Sequence, residues 1–470
     1  MTRSAAEVPA LLHSRYNPQA EAERYIEALG LNSDIEYFIL IEPGLGYLIP
    51  ILKSRYKNSK IIALHAGCGF KTAETHSVTA WQPGGSLSVM DFLEREISDV
   101  AGRLHIIEWR PALNVYGDAY LKLVSQAVEF IKRADAGRRT TAAFGRKWVK
   151  NFFKNLYLLR QVLLYRVMDN PVIVVGAGPG LESALPDILS MRDNAFIIAA
   201  SSSFMALENS GVIPDLVLST DGGAWALQHL YPCFRTANSF RGFAASLYAA
   251  LPSQCSGFPF LILNEGSLWQ SIVLKELDIP SVVVPQRGTV TASAIELAFI
   301  LSTGNIYLAG MDLSTRDIRT HARPYSFDHL FLGSSSRFLP VYSQSFLRSY
   351  KIRHGGSYEI YATWFKNQLA SWPKRIFSLG GNHSVFENKF PVKNEIQLTK
   401  IKGEYFKAVS VGAGRPARGA AALILALDDN RFSESLNAEL APLLFPEEEK
   451  VSNRKLSEAI KDIACKRGIE

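Results

Sequence analysis

The chain has 470 residues and a mass of 52.1 kDa, a length typical of about three domains at ~150 residues each. Hydrophobic residues make up 47% and charged residues 20%, which excludes a disordered or fibrous chain. No apolar run reaches the ~18 residues of a membrane-spanning helix, so no membrane insertion is expected. The net charge of +7 is spread along the chain, which argues against nucleic-acid binding and suits an anionic nucleotide.

The first block, residues 1–105, predicts a small α/β domain. A short helix is predicted over 21–29, and a second helix over 47–56 lies between two continuous apolar runs at 37–41 and 61–64. Runs of this length bounded by glycine are typical of buried parallel strands, so the pattern indicates a βαβ unit.

Residues 106–165 predict a helical connector, because apolar residues recur at helical spacing over 120–134 and again over 144–164. Residues 386–470 predict a C-terminal helical domain, with its clearest helical patterns at 418–427 and 451–465. The sequence therefore places two helical regions on either side of a central block.

The central block, residues 166–385, predicts a doubly wound, Rossmann-like α/β domain, because apolar strands alternate with helical patterns. The predicted strands are 172–175, 195–200, 216–219, 260–263, 281–284 and 306–309, and the predicted helices are 181–191, 204–210 and 292–302.

Polar or flexible residues follow nearly every strand of this block, at the edge where open α/β sheets bind ligands. These strand ends are Gly176–Gly180, Ser201–Ser203, Thr220–Asp221, Asn264–Glu265, Gln286–Thr289 and Gly310–Asp312. Their coincidence is more informative than any single motif and predicts a ligand site at this edge.

The glycine loop Gly176-Ala177-Gly178-Pro179-Gly180 leaves a strand and opens a helix, a position at which free backbone amides bind phosphate. It is neither a complete dinucleotide fingerprint, because Leu181 replaces the third glycine, nor a P-loop. We predict phosphate or nucleotide contact, and the alternative is a tight turn without a ligand.

Three further strand ends carry candidate ligand-binding groups, each with a structural alternative. Ser201 and Ser202 suit hydrogen bonds to a nucleotide or a helix cap. Asp221 suits a cation, a ribose or a base, and equally an Asx turn. Arg287 and Thr289 open a helix and suit an anion, or Thr289 only caps the helix.

The segment from Asp312 to His329 contains candidate acid–base residues. His321 and Tyr325 follow the strand end at Asp312 after a polar loop, beside the predicted cleft. Histidine is the natural acid or base at neutral pH, although a loop histidine is often a passive surface residue. We therefore predict His321 as a candidate catalytic residue.

The N-terminal block has a glycine loop of its own, Gly44-Leu45-Gly46, which resembles that of a methyltransferase. Such enzymes usually carry an acidic residue at the end of the next strand, whereas this chain has Leu64-His65. We therefore interpret this loop as mostly structural.

Cysteine usage predicts a reducing environment. Four cysteines are scattered without CxxC spacing, which excludes a disulfide scaffold and a conventional zinc site, and Met1–Ala10 lacks the apolar core of a signal peptide. We expect a cytoplasmic protein without a bound metal.

Taken together, the motifs resemble the motility-associated factor (Maf) glycosyltransferase family, whose core is similar to the 6-hydroxymethylpterin diphosphokinase MptE. The resemblance spans about residues 13–385, and its motifs are short but occur in a specific order. They are His13–Pro18 with Glu21–Ala22, Gly44–Tyr47, Val174–Pro179 through Asp215 and Asp221, Gly288–Val290 with Ala298, Ala309–Leu313 and Thr320–Ala322.

The resemblance implies a sialyltransferase-like (GT-A) core that transfers a nonulosonic sugar, pseudaminic or legionaminic, from a CMP-activated donor to serine or threonine of flagellin. No cofactor is required, and a histidine acts as base, a role that falls on His321. Arg287 or Tyr325 would stabilise the departing phosphate. The expected donor-binding residues are Gly176, Gly178, Pro179, Ser201, Ser202, Asp221, Thr289, Asp312 and Thr320.

Two alternatives stay open. One is an ATP-dependent 6-hydroxymethylpterin pyrophosphokinase, for which Asp221 and Asp312 are the candidate Mg²⁺ ligands. The other is a non-enzymatic flagellin-binding or assembly factor, because Leu379–His383 departs from a family pattern that has an acidic residue before Gly-Gly-Ala. The sugar, the acceptor groove and the oligomeric state do not follow from the sequence.

Overall fold

The structure is a computed structural model, and its contacts divide the chain into two compact units, Met1–Ala143 and Phe144–Glu470. The residues that it describes are 12–33, 35–67, 78–97, 104–236, 240–285, 288–354, 361–362, 365, 368, 372–380, 404–448 and 450–465.

The first unit is built on a parallel sheet with the strand order β3-β2-β1-β4. Its strands are β1 (Tyr37–Ile41), β2 (Lys60–Leu64), β3 (Thr79–Trp81) and β4 (Leu104–Glu108), and its helices are α1 (Pro18–Ala28), α2 (Leu48–Arg55), α3 (Val89–Glu96) and α4 (Leu113–Tyr116). Asn17 begins α1 by accepting a hydrogen bond from the Ala20 amide at 2.9 Å. The predicted βαβ unit is confirmed.

The glycine loop of this unit is closed by His13. The Leu45 amide donates to His13 Nε2 at 2.9 Å, and a Cβ at Gly44 would overlap the His13 ring. Behind the loop, the buried Glu42 carboxylate contacts His65 Nδ1 at 3.2 Å and accepts from the Ala66 amide at 2.5 Å. These contacts agree with the interpretation of this loop as structural.

One helix of 41 residues, α5 (Asp118–Leu158), carries the chain from the first unit into the second. The prediction of two helices over 120–134 and 144–164 is wrong in two respects: the helix is continuous, and residues 161–165 form strand β5 (Gln161–Tyr165). Gly137 and Gly145 lower helix propensity without interrupting it. Gly145 is moreover required, because a Cβ there would lie 2.6 Å from Leu443 Cα.

The described strands of the second unit form one ten-stranded sheet with the order β13-β12-β6-β7-β8-β9-β10-β5-β14, and β11 also pairs with β10. The strands are β6 (Val172–Val175), β7 (Phe196–Ala200), β8 (Leu216–Ser219), β9 (Gly242–Ser246), β10 (Phe260–Asn264), β11 (Ser281–Val283), β12 (Ile306–Ala309), β13 (Ile376–Ser378) and β14 (Phe406–Ser410). All pairings are parallel except β5 with β14. The predicted mixed α/β fold is confirmed.

Helices cover both faces of this sheet, whose central strands β6 to β10 are almost completely buried. The helices of the second unit that follow α5 are α6 (Leu181–Met191), α7 (Phe204–Asn209), α8 (Leu227–Leu230), α9 (Leu268–Glu276), α10 (Val290–Leu301), α11 (Asp328–Gly333), α12 (Val341–His354), α13 (Arg415–Asp428), α14 (Ser433–Leu444) and α15 (Asn453–Cys465). The long apolar runs at these strands follow from burial on both faces.

The C-terminal segment belongs to the compact second unit. Strand β14 pairs with β5, and Leu423, Leu440 and Ile460 of the last three helices share a hydrophobic core with Phe152 and Trp269. The contacts give a single division after Ala143, and the predicted domain boundaries after residues 105, 165 and 385 stay predictions. In the part of the chain that the structure describes, no helix is long and apolar enough to cross a membrane.

Candidate functional site

The strand order of the second unit has a switch point between β6 and β12. From β6 the chain proceeds through β7 and β8 to one side of the sheet, whereas β12 and β13 lie on the other side of β6. The loops that follow β6 and β12 therefore diverge from neighbouring strand ends. In doubly wound sheets, this is the crevice in which ligands bind.

The glycine loop after β6 is bound to the loop after β12. The amides of Gly176 and Gly178 donate to the carbonyls of Ala309 and Gly310, both at 2.8 Å, and the Gly180 amide donates to Asp312 Oδ2 at 2.9 Å. The Asp312 carboxylate thus lies at the start of α6, where an anion is stabilised by the free amides.

The glycines are required by this close approach, because a Cβ at Gly178 or Gly180 would overlap the Asp312 carboxylate. The loop fastens the segment after β12 to the sheet. The phosphate contact predicted for Gly176, Gly178 and Pro179 stays a prediction, and a phosphate there would have to displace Asp312 or use the amide of Ala177.

A second set of contacts holds the segment that carries His321. The Ala322 amide donates to the Ala177 carbonyl at 2.9 Å. Glu182, in the first turn of α6, accepts from Arg319 Nη1 with both carboxylate oxygens, at 3.0 and 2.7 Å, and from the Arg323 amide at 3.2 Å. The backbone after His321 and the Arg319 side chain before it are therefore bound to the β6–α6 turn.

His321 lies at the wall of a small cleft. Its ring stacks on Tyr325 with the centroids 4.1 Å apart and the planes 9° from parallel. Its Nδ1 is hydrogen-bonded to Thr320 Oγ1 at 2.8 Å. The cleft is lined by Ile318, Arg319, Thr320, His321, Arg323, Tyr325, Asp328, Ser345 and Arg348. The structure thus brings three predicted site residues, Thr320, His321 and Tyr325, into one cleft.

His321 is uncharged at neutral pH in this environment. Burial, with the positive charge of Arg348 and the neighbouring His229 adding to it, lowers the pKa of His321 from 6.5 to about 3. A neutral imidazole is the form that accepts a proton, so the residue is in the protonation state of a general base.

His229, a residue that the sequence interpretation missed, continues the same ring cluster. Its Nδ1 lies 2.5 Å from Ser326 Oγ, and its ring centroid lies 5.5 Å from that of Tyr325 and 5.0 Å from that of Phe327. Burial lowers its pKa to about 4, and the Asp221 carboxylate opposes this shift. No local pattern marks His229, because it lies on the four-residue helix α8.

Arg348 of α12 is a second cleft residue without a sequence signal. Its guanidinium lies over the Phe331 ring, 3.6 Å from the centroid, and its Nη2 donates to Thr320 Oγ1 at 3.4 Å. It reaches the cleft from a helix 27 residues after His321, so only the fold brings the two side chains together.

Other predicted site residues have mainly structural contacts. Asp221 Oδ1 accepts from the Gly223 amide at 2.7 Å, which is the Asx-turn alternative, and its charge still reaches His229. Thr289 Oγ1 accepts from the Ala292 amide at 3.1 Å and caps α10. Ser201 is buried and Ser202 partly buried in one turn of 3₁₀-helix. Arg287 lies outside the described residues.

Comparison with known proteins identifies the core of the second unit. Residues 147–317 match the family described as "6-hydroxymethylpterin diphosphokinase MptE-like". Residues 147–317 are therefore similar to MptE-like domains, and the predicted resemblance of the core to MptE is confirmed. The matched segment contains the glycine loop, His229 and Asp312, and ends just before His321.

Two relatives are uncharacterised proteins of Treponema pallidum (strain Nichols). One is 29% identical over 304 residues, which cover 64% of this chain and 66% of the relative, and the other is 30% identical over 117 residues, which cover 24% and 54%. The chain thus spans just under two thirds and about half of these relatives. A solved structure of a Maf glycosyltransferase from Magnetospirillum magneticum AMB-1 has 13% identity and a TM-score of 0.43, over 95% of this chain and 76% of that one.

Proposed function

We propose that the protein is a glycosyltransferase that moves a nonulosonic sugar, of the pseudaminic or legionaminic type, from a CMP-activated donor to serine or threonine hydroxyls of flagellin. The observation that carries the proposal is the position of His321, which the contacts of Ala322 and Arg323 with the β6–α6 turn hold at a cleft beside the ends of β6 and β12. The order of the sequence motifs from His13 to Ala322 supports the choice of donor and acceptor.

The hydrogen bonds of Thr320 indicate which nitrogen of His321 is the base. Thr320 Oγ1 accepts from Arg348 Nη2, and its second lone pair can accept from the Nδ1–H of His321, which is the direction that we assign. This assignment of the tautomer leaves the lone pair on Nε2, which then accepts the proton of the acceptor hydroxyl. Tyr325 stacks on the ring and fixes its orientation.

The proposed reaction is a single displacement. The acceptor oxygen forms a bond to the anomeric carbon while its proton passes to His321 Nε2, and the bond between that carbon and the phosphate oxygen breaks. The leaving CMP takes the bonding electron pair. The proton on His321 is then released to solvent, and negative charge develops on the phosphate, which cationic side chains stabilise.

Pyrophosphoryl transfer from ATP to a pterin alcohol is a second candidate, and the MptE-like match over residues 147–317 favours it. Its predicted Mg²⁺ ligands, Asp221 and Asp312, each accept a hydrogen bond from a backbone amide, that of Gly223 and of Gly180. In the described ranges, no three His, Cys, Asp or Glu side chains are grouped to hold a metal ion. Both carboxylates are thus held by backbone amides, and we derive no step through the metal.

The test is the mass of flagellin after incubation with the protein and a CMP-activated nonulosonic acid, with and without EDTA. We expect the mass of flagellin to increase by one sugar. In His321→Ala we expect the rate of this transfer to fall by at least ~100-fold, because a positioned base contributes that much. His354→Ala is the matched control, since His354 is exposed at the end of α12 and outside the cleft.

Two outcomes would replace the proposal. Formation of a pterin diphosphate from ATP and Mg²⁺, without sugar transfer, would establish the pyrophosphokinase. Tight binding of flagellin with no transfer from any activated sugar would establish the non-enzymatic assembly factor. Transfer at the wild-type rate by His321→Ala would remove the base role and leave the transferase activity.

A further inference from the structure

We propose that one face of the segment containing α11 and α12 attaches the protein to the surface of an anionic lipid membrane. This face, which we call the aromatic surface, consists of Leu332, Phe338, Leu339, Tyr342, Phe346, Leu347 and Tyr350. These are seven of the twenty large hydrophobic side chains that are exposed in the described part of the chain, and such a concentration marks an interaction site. None of the seven lines the cleft beside His321, so the proposal is independent of the proposed function.

Helix α12 has the reverse of the usual amphipathic arrangement. The side chains of Ser345 and Ser349 are buried, whereas Tyr342, Phe346 and Tyr350, each four residues apart, are exposed. Side chains at this spacing form one stripe along a helix, and the ring centroids of Phe346 and Tyr350 lie 6.5 Å apart. A helix that packs only on its own protein buries its apolar stripe and exposes its polar residues. The aromatic stripe of α12 is therefore directed at a partner.

An ordered turn before α12 holds Phe338 in solvent. The Leu339 amide donates to the carbonyl and the Oγ of Ser336 at 3.2 and 3.1 Å, and the Ser336 amide donates to the Leu339 carbonyl at 3.1 Å. Gln344 Nε2 of α12 donates to the carbonyls of Phe331 and Leu339 at 3.3 and 3.2 Å and so braces the turn. The Phe338 side chain nevertheless remains 95% exposed. The turn thus presents a phenyl ring that is preorganised to enter an apolar partner.

The aromatic surface lies in a segment without negative charge. Between Asp328 and Glu359 the sequence has no acidic residue. Arg337 and Lys351, each next in sequence to a residue of the aromatic surface, are exposed and form no ion pair with a described residue. Anionic lipid headgroups attract such cations, whereas a second copy of the same face would bring like charges together. The charges therefore favour an anionic partner over self-association.

The exposure and the composition of the aromatic surface favour a lipid bilayer over a folded protein. Its two most exposed members, Phe338 and Tyr342, protrude from a turn and from a helix. A fluid interface accepts protruding side chains one by one, whereas a folded partner needs a complementary pocket for each. Phenylalanine and leucine enter the acyl boundary, tyrosine is enriched at the level of the headgroups, and arginine and lysine attract anionic headgroups. The segment has all of these residue types.

Co-sedimentation of the full-length protein with lipid vesicles tests the proposal. One set of vesicles is phosphatidylcholine alone and the other is phosphatidylcholine with phosphatidylserine, and we expect the wild type to bind the second set much more tightly. Phe338→Ser should weaken this binding by about tenfold or more, because a phenyl side chain no longer leaves water. Leu425→Ser is the matched control, since Leu425 is an exposed apolar side chain of α13 and lies outside the aromatic surface.

Arg337→Gln tests the electrostatic part of the same contact. We expect the affinity for the vesicles with phosphatidylserine to fall about fivefold, as for one cation removed from an anionic membrane surface. The difference from the wild type should become smaller as the salt concentration is raised, because salt screens exposed charges. Lys461→Gln, at an exposed lysine of α15, is the control for a change in net charge.

Several results would overturn the proposal. Failure of the wild type to bind either set of vesicles would exclude a lipid partner, and equal binding to both sets would exclude the role of the cations. An equal loss in Leu425→Ser and Phe338→Ser would exclude the aromatic surface as the contact. A wild-type dimer that Phe338→Ser dissociates, without vesicle binding, would assign the surface to a second copy. Binding of polyglutamate instead of vesicles would assign it to an acidic polypeptide.

Discussion

The chain has two glycine loops at the ends of parallel strands, one after β1 and one after β6, and a side chain of the protein itself fills each. His13 closes the first loop and accepts from the Leu45 amide, whereas Asp312 closes the second and accepts from the Gly180 amide. Neither loop, as folded, presents a row of free amides to a phosphate. A glycine after a strand therefore indicates that another group lies close to the backbone. That group can be a side chain of the protein, as here, and need not be a ligand.

The contacts of His13 and of Asp312 with their glycine loops hold different parts of the chain in place. His13 joins the chain before α1 to the first sheet, beside the buried pair of Glu42 and His65. Asp312 belongs to the loop that continues to Thr320 and His321, so its contact with the β6 turn helps to place a neutral histidine on a cleft. The first loop is a structural closure, and the second is part of the candidate site.

The largest expected effect on the rate comes from breaking the contacts between residues 319–323 and Glu182, which follows the glycine loop after β6. Glu182→Gln weakens the ion pair to Arg319 and the contact with the Arg323 amide, so His321 shifts from its productive position. We expect the rate of sugar transfer to fall by about 100-fold, as for a displacement of ~1 Å. Single-turnover assays on flagellin measure it, and Glu27→Gln, at an exposed ion pair in the first unit, is the control. An unchanged rate would show that the tether does not position the base.

The next effect tests the fit of Asp312 against the glycine loop. The three atoms nearest to a Cβ at Gly180 all belong to the Asp312 carboxylate, so Gly180→Ala is expected to destabilise the second unit by about 1–3 kcal/mol. In an Asp312→Ala background the same substitution should cost much less, because the obstructing group is gone. Urea unfolding of the four proteins measures this coupling, and additive costs would contradict the close contact.

The corresponding change in the first loop is smaller. His13→Gln keeps an acceptor for the Leu45 amide but loses the ring contacts with Tyr47 at 4.9 Å and Trp109 at 5.2 Å. We expect a loss of about 0.5–1.5 kcal/mol in the stability of the first unit. Sugar transfer by the second unit should be unaffected, and a large loss of transfer would mean that the first loop also serves the reaction.

The smallest effect is a pH dependence of stability shared by both regions. Burial is the main cause that lowers the pKa of His13, of His229 to about 4 and of His321 to about 3. The unfolded chain binds protons at these residues below about pH 6.5, whereas the folded chain stays neutral. Burying these three histidines as neutral groups therefore costs no stability through protonation above pH 6.5. The free energy of unfolding then decreases as the pH falls from 6.5 towards 3. The free energy of unfolding, measured at pH 7.5 and at pH 5.5, should differ less between the two pH values in His321→Gln than in the wild type.

Most regular elements could be predicted from the sequence because their signals are local. The apolar runs at β6, β7 and β12, and the helical pattern of α6, each lie within a dozen residues, and burial on both faces of the sheet accounts for them. Strand β9 was missed because its residues, GFAAS, are mostly small and lack the β-branched pattern. Strand β14 was missed because it is largely exposed and so lacks a continuous apolar pattern. It is formed by antiparallel pairing with β5, which is distant in the sequence.

The sequence by itself determined the α/β class, the order of the strands along the chain and the edge of the sheet that carries polar residues, since these depend on periodicity and on short turns. Only the tertiary structure decided which side chains meet at that edge. Asp312 reaches Gly180 across 132 residues, and Arg348 and His229 converge on His321 from separate helices. No local pattern encodes such contacts, because they arise when distant segments share one sheet edge, and the chemistry of the site depends on them.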